Sequence, residues 1–424
     1  MAMLGPMVVV AETPATDLLD VLEKAGAFPI VETGWADAPA AITEIQPVAV
    51  AIAEPAPAPD PRHMRALRQA IETRGGPVTP VIARLMSESE APLPDALPVA
   101  LEDPPSRLVA RLRSALRIRT VHATVLRQAR AENAPAVPLP QAFATNLLDD
   151  ATVLCVGRGS SYPALSVAIG ERVGLIGTLS VETAARYLVA RDIEGVVIGD
   201  GLGPRVVEAL LTALAEDERF RDLPVGLLDN NGIDDDRLPN LVRIESDPEL
   251  LVERLLPMVR LQAFEAQLRR TLKALEAEGA LDPATGLLGA DAFWRDLERA
   301  IDDAEQEGRA LTVARFSFED MTDQRANLDA ARLLSRLIRN VDFACRENDG
   351  SIIAAFTETD LRSAHVVVRR LAGILRQTML SPGRDRGTIR PTVTLATLKA
   401  SDNLSTLVAR VGSQPQVAAA SQEA

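Results

Sequence analysis

Short apolar runs alternate with longer segments whose apolar residues return every three or four positions, and this alternation continues through most of the chain. In the first third it predicts strands over 8–11, 30–31, 48–53, 80–85 and 98–101, helices over 16–25 and 62–73, and a long helix from about 105. Strand and helix taken in turn imply parallel strands with helices on both faces, because a parallel pair needs a crossover between its strands. The same order returns later. Strands at 152–156, 196–199, 224–228 and 240–244 are separated by helices at 181–190 and 206–215 and closed by a helix over 249–278. Past 281 the order changes to strand 310–318, helix 328–340, two strands closing on a tight turn near 349, helix 360–379, strand 392–398 and helix 403–411.

This pattern predicts an α/β protein with two flavodoxin-like, doubly wound parallel sheets and a third α/β domain of another kind. The expected boundaries are 1–130, 149–280 and 281–412, with a stiff linker over 131–148 and a disordered tail over 413–424. The linker contains Ala134-Pro135-Ala136-Val137-Pro138-Leu139-Pro140, and the tail is rich in Gln, Ala and Ser. The helix over 249–278 carries Leu250, Leu251, Leu255, Leu256, Val259, Leu261, Leu268, Leu272 and Leu275. Those leucines fit either a connector that pairs with a second copy or an amphipathic helix packed on its own domain.

Composition narrows the chemistry. Hydrophobic residues make up 47% of the 424, aromatic residues only 3%, and the formal net charge is -14. Such a surface repels polyanions, which argues against nucleic acid as a partner while leaving room for a small dianion at a local arginine cluster. Cys155 and Cys345 lie far apart in apolar segments and read as reduced core residues of a cytoplasmic protein. His63, His122 and His365 form no cluster with them, so no metal site is expected. The start lacks a basic signal-peptide region, and no run of 18 apolar residues suggests a membrane span.

The candidate chemistry sits around one hairpin. Arg339-Asn340-Val341-Asp342-Phe343 leads through Asn348-Asp349-Gly350-Ser351-Ile352 into the apolar run Ile353-Ala354-Ala355-Phe356, with Asp-Gly at the turn. Together with Leu281-Asp282-Pro283-Ala284-Thr285-Gly286-Leu287, this segment resembles a GGDEF domain, the diguanylate cyclase fold. The helix running from Leu108 to Arg119 resembles the last helix of a response-regulator receiver domain. The whole chain is similar to a receiver–receiver–GGDEF protein, which implies a nucleotide-cyclase-like third domain with a mixed sheet.

The resemblance also implies losses. The family's Gly-Gly-(Asp/Glu)-Glu-Phe tip falls on Asn348, Asp349, Gly350, Ser351 and Ile352. Its second metal carboxylate falls on Ser317, and its guanine-reading Asn on Gly289. A hydroxyl is a poor substitute for a carboxylate toward a hard cation, and Glu319 or Asp320 would stand in only after a register slip. The implied protein is not an enzyme and holds no metal or cofactor. In the receiver-like copies, Glu12, Glu54, Arg84-Leu85 and Glu102-Asp103 occupy the strand ends of the first, and Gly157-Arg158 and Glu245-Ser246 those of the second. Neither set supplies the acid cluster and lysine of a phosphoacceptor site, and Asp200 lies one residue past the acceptor position. Gly157-Arg158-Gly159-Ser160-Ser161 has neither dinucleotide nor Walker spacing.

What the resemblance retains is Arg339-x-x-Asp342, the family's inhibitory site for cyclic di-GMP, with Arg370 as its second arginine. The third arginine falls near Asp302-Asp303 and is missing; Arg299 is the nearest substitute. A guanidinium pairs with guanine O6/N7 or a phosphate, and a carboxylate accepts from guanine N1 and N2. The plain alternative is an i,i+3 ion pair on a helix surface. Three functions follow: an inactive cyclic di-GMP receptor relaying to a protein partner as a receiver-linked homodimer, a nucleotide-independent scaffold, or a diguanylate cyclase.

Overall fold

A computed structural model describes residues 5–53, 59–86, 93–131, 134–144, 146–228, 236–318, 324–339, 341–377, 391–400 and 402–412. Glu54, Glu319, Asp320 and the 413–424 tail lie outside the described residues. The chain divides into two compact units, one of Met1–Ala131 with Leu139–Arg269 and the other of Glu132–Pro138 with Arg270–Ala424.

The first unit holds two parallel five-stranded sheets. Strands β1 (Met7–Val10), β2 (Ile30–Thr33), β3 (Ala49–Ile52), β4 (Val81–Leu85) and β5 (Leu97–Ala100) lie in the order β2-β1-β3-β4-β5. Helices α1 (Thr16–Lys24), α2 (Ala38–Ile45), α3 (Pro61–Glu72) and α4 (Pro105–Ala129) accompany them. The second sheet uses β6 (Thr152–Val156), β7 (Gly174–Thr178), β8 (Gly195–Ile198), β9 (Val225–Leu228) and β10 (Leu241–Ile244), in the order β10-β9-β8-β6-β7. With it go α5 (Tyr162–Gly170), α6 (Val181–Ala190), α7 (Pro204–Glu216) and α8 (Pro248–Glu276). Both are flavodoxin-like. β1, β3, β6, β8 and β9 are buried along their whole length, which is why they read as unbroken apolar runs and not as alternating ones.

Helix α2 has no counterpart in the sequence pattern. Pro39 sits in its first turn, where a missing N–H costs nothing, and Gln46 ends it in the left-handed region at φ 51°. Only Ala38 and Ile42 are buried along it, too few to show a period.

The second unit is built on an antiparallel sheet in the order β12-β13-β11-β14. Its elements are α9 (Ala290–Glu307), β11 (Leu311–Phe318), α10 (Gln324–Leu337), β12 (Phe343–Arg346), β13 (Ile352–Thr357), α11 (Leu361–Gln377), β14 (Pro391–Thr397) and α12 (Leu404–Gly412). Among the described residues of this unit, parallel pairing enters as the isolated bridge between Leu288 and Cys345. One apolar cluster joins Phe293, Leu297 and Ile301 of α9 and Leu407 and Val411 of α12 to Val313 and Ile353. Another joins Ala330 and Leu334 of α10 and Leu371 and Leu375 of α11 to Phe316 and Phe356. The alternation along β11 and β13 sends neighbouring residues to opposite clusters, so the sheet is covered on both faces.

Candidate functional site

Helix α10 ends at Leu337, and Arg339 follows in the short segment before β12. The Asp342 N–H donates to the Arg339 carbonyl at 3.0 Å, which turns the chain into the strand. Asp342 is only 8% exposed and its Oδ1 accepts from the Thr357 N–H at 3.1 Å, extending the β12–β13 pairing by one side-chain bond. Thr357 Oγ1 closes the same corner on the Val341 carbonyl at 3.0 Å. Burial holds the Asp342 carboxyl above the usual range, against the opposing pull of the Thr357 N–H and the Arg339 charge. Arg339 itself is exposed and makes no ion pair with Asp342; its guanidinium has no hydrogen-bond or ion-pair partner among the described residues. A helical i,i+3 ion pair is therefore not what these two residues form.

They line instead a groove of about 660 Å³ shared with Arg299, Asp296 and Asp303 of α9, Ser335, and the backbone of the Gly286–Leu288 turn. Positions 296, 299 and 303 fall on one helical face, and Arg299 pairs with Asp296 at 3.6 Å near the surface. The groove thus offers two guanidiniums as donors and three carboxylates as acceptors. Its floor is held firmly. Asp282 accepts from the Thr285 hydroxyl at 2.6 Å and the Ala284 N–H at 3.0 Å, Gly286 takes φ 76°, and the Arg332 Nε–H donates to the Ala284 carbonyl at 2.9 Å. Arg370 is not among the lining residues; it lies exposed on α11. Asp296, Ser335 and Thr357 were not singled out in the sequence, and Asp303 entered it only as the place where an arginine is missing; the α9 periodicity could have pointed to Asp296 and Asp303.

The hairpin tip is a separate centre. A five-residue loop, Glu347 to Ser351, joins β12 to β13, with Glu347 N–H on the Ser351 carbonyl at 2.8 Å and Gly350 at φ 84°. Ser351 is 4% exposed, and its hydroxyl lies 2.6 Å from Asp349 Oδ1 and 3.2 Å from Glu347 Oε2. Arg315 reaches the tip from β11, because the β11–β13 register sets it opposite Ile353. Its guanidinium lies 2.8 Å from Glu347, 2.6 Å from Asp349 and 3.1 Å from the Ser351 hydroxyl. The two acids of the tip thus already face a fixed cation. Ile352 is core, Ser317 pairs in register with Thr392 on β14, and Gly289 caps the start of α9.

At the C-terminal end of the second parallel sheet, Asp200 is occupied by its own chain. Its carbonyl accepts from the N–H groups of Arg158 and Gly159, and its carboxylate from the Ser161 N–H and hydroxyl. A Cβ on Gly159 would sit 2.1 Å from the Asp200 carboxyl carbon, so the glycine loop packs directly against Asp200. These contacts hold the Asp200 carboxyl below its ordinary value, the Ser161 hydroxyl contributing most. In the first sheet, Glu12 accepts from the Trp35 N–H at 3.1 Å and Arg84 pairs with Asp17. Both cysteines are buried, which pushes each thiol up to about 12. No group of three or more candidate metal ligands occurs among the described residues, and no described helix is long and apolar enough to cross a membrane.

No protein-family model matches the sequence, and a comparison with curated proteins gives no match. Solved structures similar to part of the chain are GGDEF domains of the diguanylate cyclase family. The coiled coil and GGDEF domain of DgcB from Caulobacter crescentus, a complex with c-di-GMP, aligns at 19% identity over 34% of this chain and 83% of that one, with TM-score 0.30. The diguanylate cyclase SiaD from Pseudomonas aeruginosa, in complex with its activator SiaC, aligns at 20% identity over 34% of this chain and 60% of its own, with TM-score 0.31. The FimX GGDEF domain from Pseudomonas aeruginosa aligns at 17% identity over 31% of this chain and 89% of its own, with TM-score 0.29.

Proposed function

We propose that this chain is a GGDEF-like signalling protein that makes no cyclic di-GMP and instead binds it, at Arg339 and Asp342, with Arg370 as a second guanidinium. The observation that carries this reading is the exposed Arg339 guanidinium lining a groove where Asp342 is already fixed in place by Thr357. Arg339 would take a phosphate or the guanine O6/N7 edge, while Asp342 and the α9 carboxylates would accept from guanine N1 and N2. Loss of synthesis is supported by the hairpin tip, where Ser351 stands in place of a metal acid and Arg315 neutralises Glu347 and Asp349.

In this reading the two flavodoxin-like halves are receiver domains without phosphoacceptor chemistry, acting inside the cell as surfaces that pass the ligand signal to a protein partner. Pairing of two copies through those halves belongs to the same proposal. One observation favours the rival reading of a nucleotide-independent scaffold: Arg370 lies outside the groove, which leaves more carboxylates than guanidiniums in it. Calorimetric titration of cyclic di-GMP into the intact chain separates the two. Receptor function predicts saturable binding weakened at least about tenfold in Arg339→Ala, the loss of one charged hydrogen bond, with Arg370→Ala as a parallel arm. Heat indistinguishable from dilution would leave the scaffold.

A further inference from the structure

The first unit contains an arginine pattern that neither sheet needs for its own sake. In both parallel sheets the connection into the last strand is short, residues 86–96 before β5 and 229–240 before β10. Among the described residues of these connections there is no helix, whereas a parallel crossover usually supplies one. Each last strand is also an edge strand, so its outer carbonyls lack ladder partners.

Arginines from the closing helix of the opposite half meet these places. Arg111 of α4 is 1% exposed. Its Nε donates to the Pro239 carbonyl at 3.0 Å and a terminal nitrogen to the Leu241 carbonyl at 2.8 Å, while the other terminal nitrogen bonds the Pro98 carbonyl of β5. One guanidinium thus joins the edge strand of the first sheet to the edge strand of the second. In return, Arg254 of α8 donates to the Met86 carbonyl at 3.0 Å, just past β4, and Arg260 pairs with Asp95 at 2.7 Å, just before β5. Arg117 of α4 also crosses to the second half but outside these connections, pairing with Asp222 before β9. The positions correspond. Arg111 and Arg254 are each the seventh residue of their helix, Arg117 and Arg260 each the thirteenth, and both helices begin with proline. Leu108, Leu112 and Ala115 of α4 share one apolar cluster with their counterparts Leu251, Leu255 and Met258 of α8, and the cluster runs into strands of both sheets.

We infer that the two flavodoxin-like halves form an internal two-fold pair, in which the closing helix of each half caps the chain entering the other's last strand. The partner of this surface is the other half of the same chain. The face is therefore spent, and any pairing between copies uses a different one. A buried guanidinium whose acceptors come from both halves also ties them, since moving either half away breaks charge-assisted hydrogen bonds that it makes to the other.

Hydrogen exchange on the full chain tests this. In Arg111→Met, which keeps the apolar stem, amides over 236–242 of the opposite half should exchange at least about tenfold faster, at a rate independent of protein concentration. Unchanged exchange there, or protection that depends on concentration, would overturn the internal pair. If Arg111→Met does not fold, the partly exposed pair Arg260 and Asp95 provides a second test. Thermal unfolding of Arg260→Ala, Asp95→Ala and the double variant should show coupling, with the second substitution costing less than it does alone; strict additivity would contradict the proposal.

Discussion

Acidification should weaken the first unit through a single histidine. His122 of α4 is 7% exposed, accepts the Val78 N–H on Nδ1 at 3.0 Å, and meets Phe264 edge-on with ring centroids 5.0 Å apart. Burial, with a smaller contribution from the Arg119 charge, lowers its pKa from 6.5 to about 4. Arg119 is itself fixed on the Val78 and Pro77 carbonyls at 2.6 and 2.7 Å, so the cation cannot move away. The unfolded chain takes up a proton near pH 6.5 and the folded one only near pH 4, so stability from this group is complete above about pH 6.5 and falls as pH drops toward about 4. At pH 5 that shift corresponds to at most about 2 kcal/mol, and residual solvent screening reduces it to about 1–2 kcal/mol. The assay is urea unfolding of the wild-type chain and of His122→Gln between pH 7 and 5. The glutamine carbonyl can still accept from Val78 but carries no titratable proton. The wild type should lose about 1–2 kcal/mol more than the variant over that range. Equal pH slopes would refute the assignment of His122 as a neutral, buried acceptor.

Two further substitutions probe the second unit. Asp342→Asn keeps an oxygen for the Thr357 N–H and removes a buried charge, so stability should stay within about 1 kcal/mol or rise slightly. The same variant should lose about tenfold in cyclic di-GMP affinity, read by calorimetry, because one charged acceptor becomes neutral. Arg315→Met leaves Glu347 and Asp349 facing each other across the tip without their shared cation. It should cost about 1–3 kcal/mol and raise hydrogen exchange over 347–351, measurable by mass spectrometry, while the core around Phe316 and Phe356 keeps its protection.

Much of the fold was legible because burial on both faces makes parallel strands into plain apolar runs, as in β1, β3 and β8. The hairpin was legible for a different reason: Asp349-Gly350 carries its own turn chemistry, and Gly350 takes the left-handed conformation that this chemistry requires. Interactions distant in sequence were not legible. Arg107, Arg111 and Arg117 look like polar positions of an amphipathic helix, yet each meets a carbonyl or carboxylate more than 100 residues further on. Arg315 gave no signal either, since a charge inside a strand acquires meaning only from the register that brings the 347–351 tip beside it. For the groove, the sequence named Arg339, Asp342 and Arg370, with Arg299 as the substitute for a missing arginine; Arg339, Asp342 and Arg299 line it, whereas Arg370 lies exposed on α11.

On the proposed reading a cyclic dinucleotide occupies the groove between α9 and the start of β12, away from the hairpin tip. Hydrogen exchange of the intact chain with and without saturating cyclic di-GMP tests it most directly. Binding in the groove should slow exchange over 285–289 and 341–344 and leave 347–351 unchanged, and the effect should be lost in Arg339→Ala. Protection centred on the hairpin tip, or an unchanged exchange map in the presence of ligand, would contradict it.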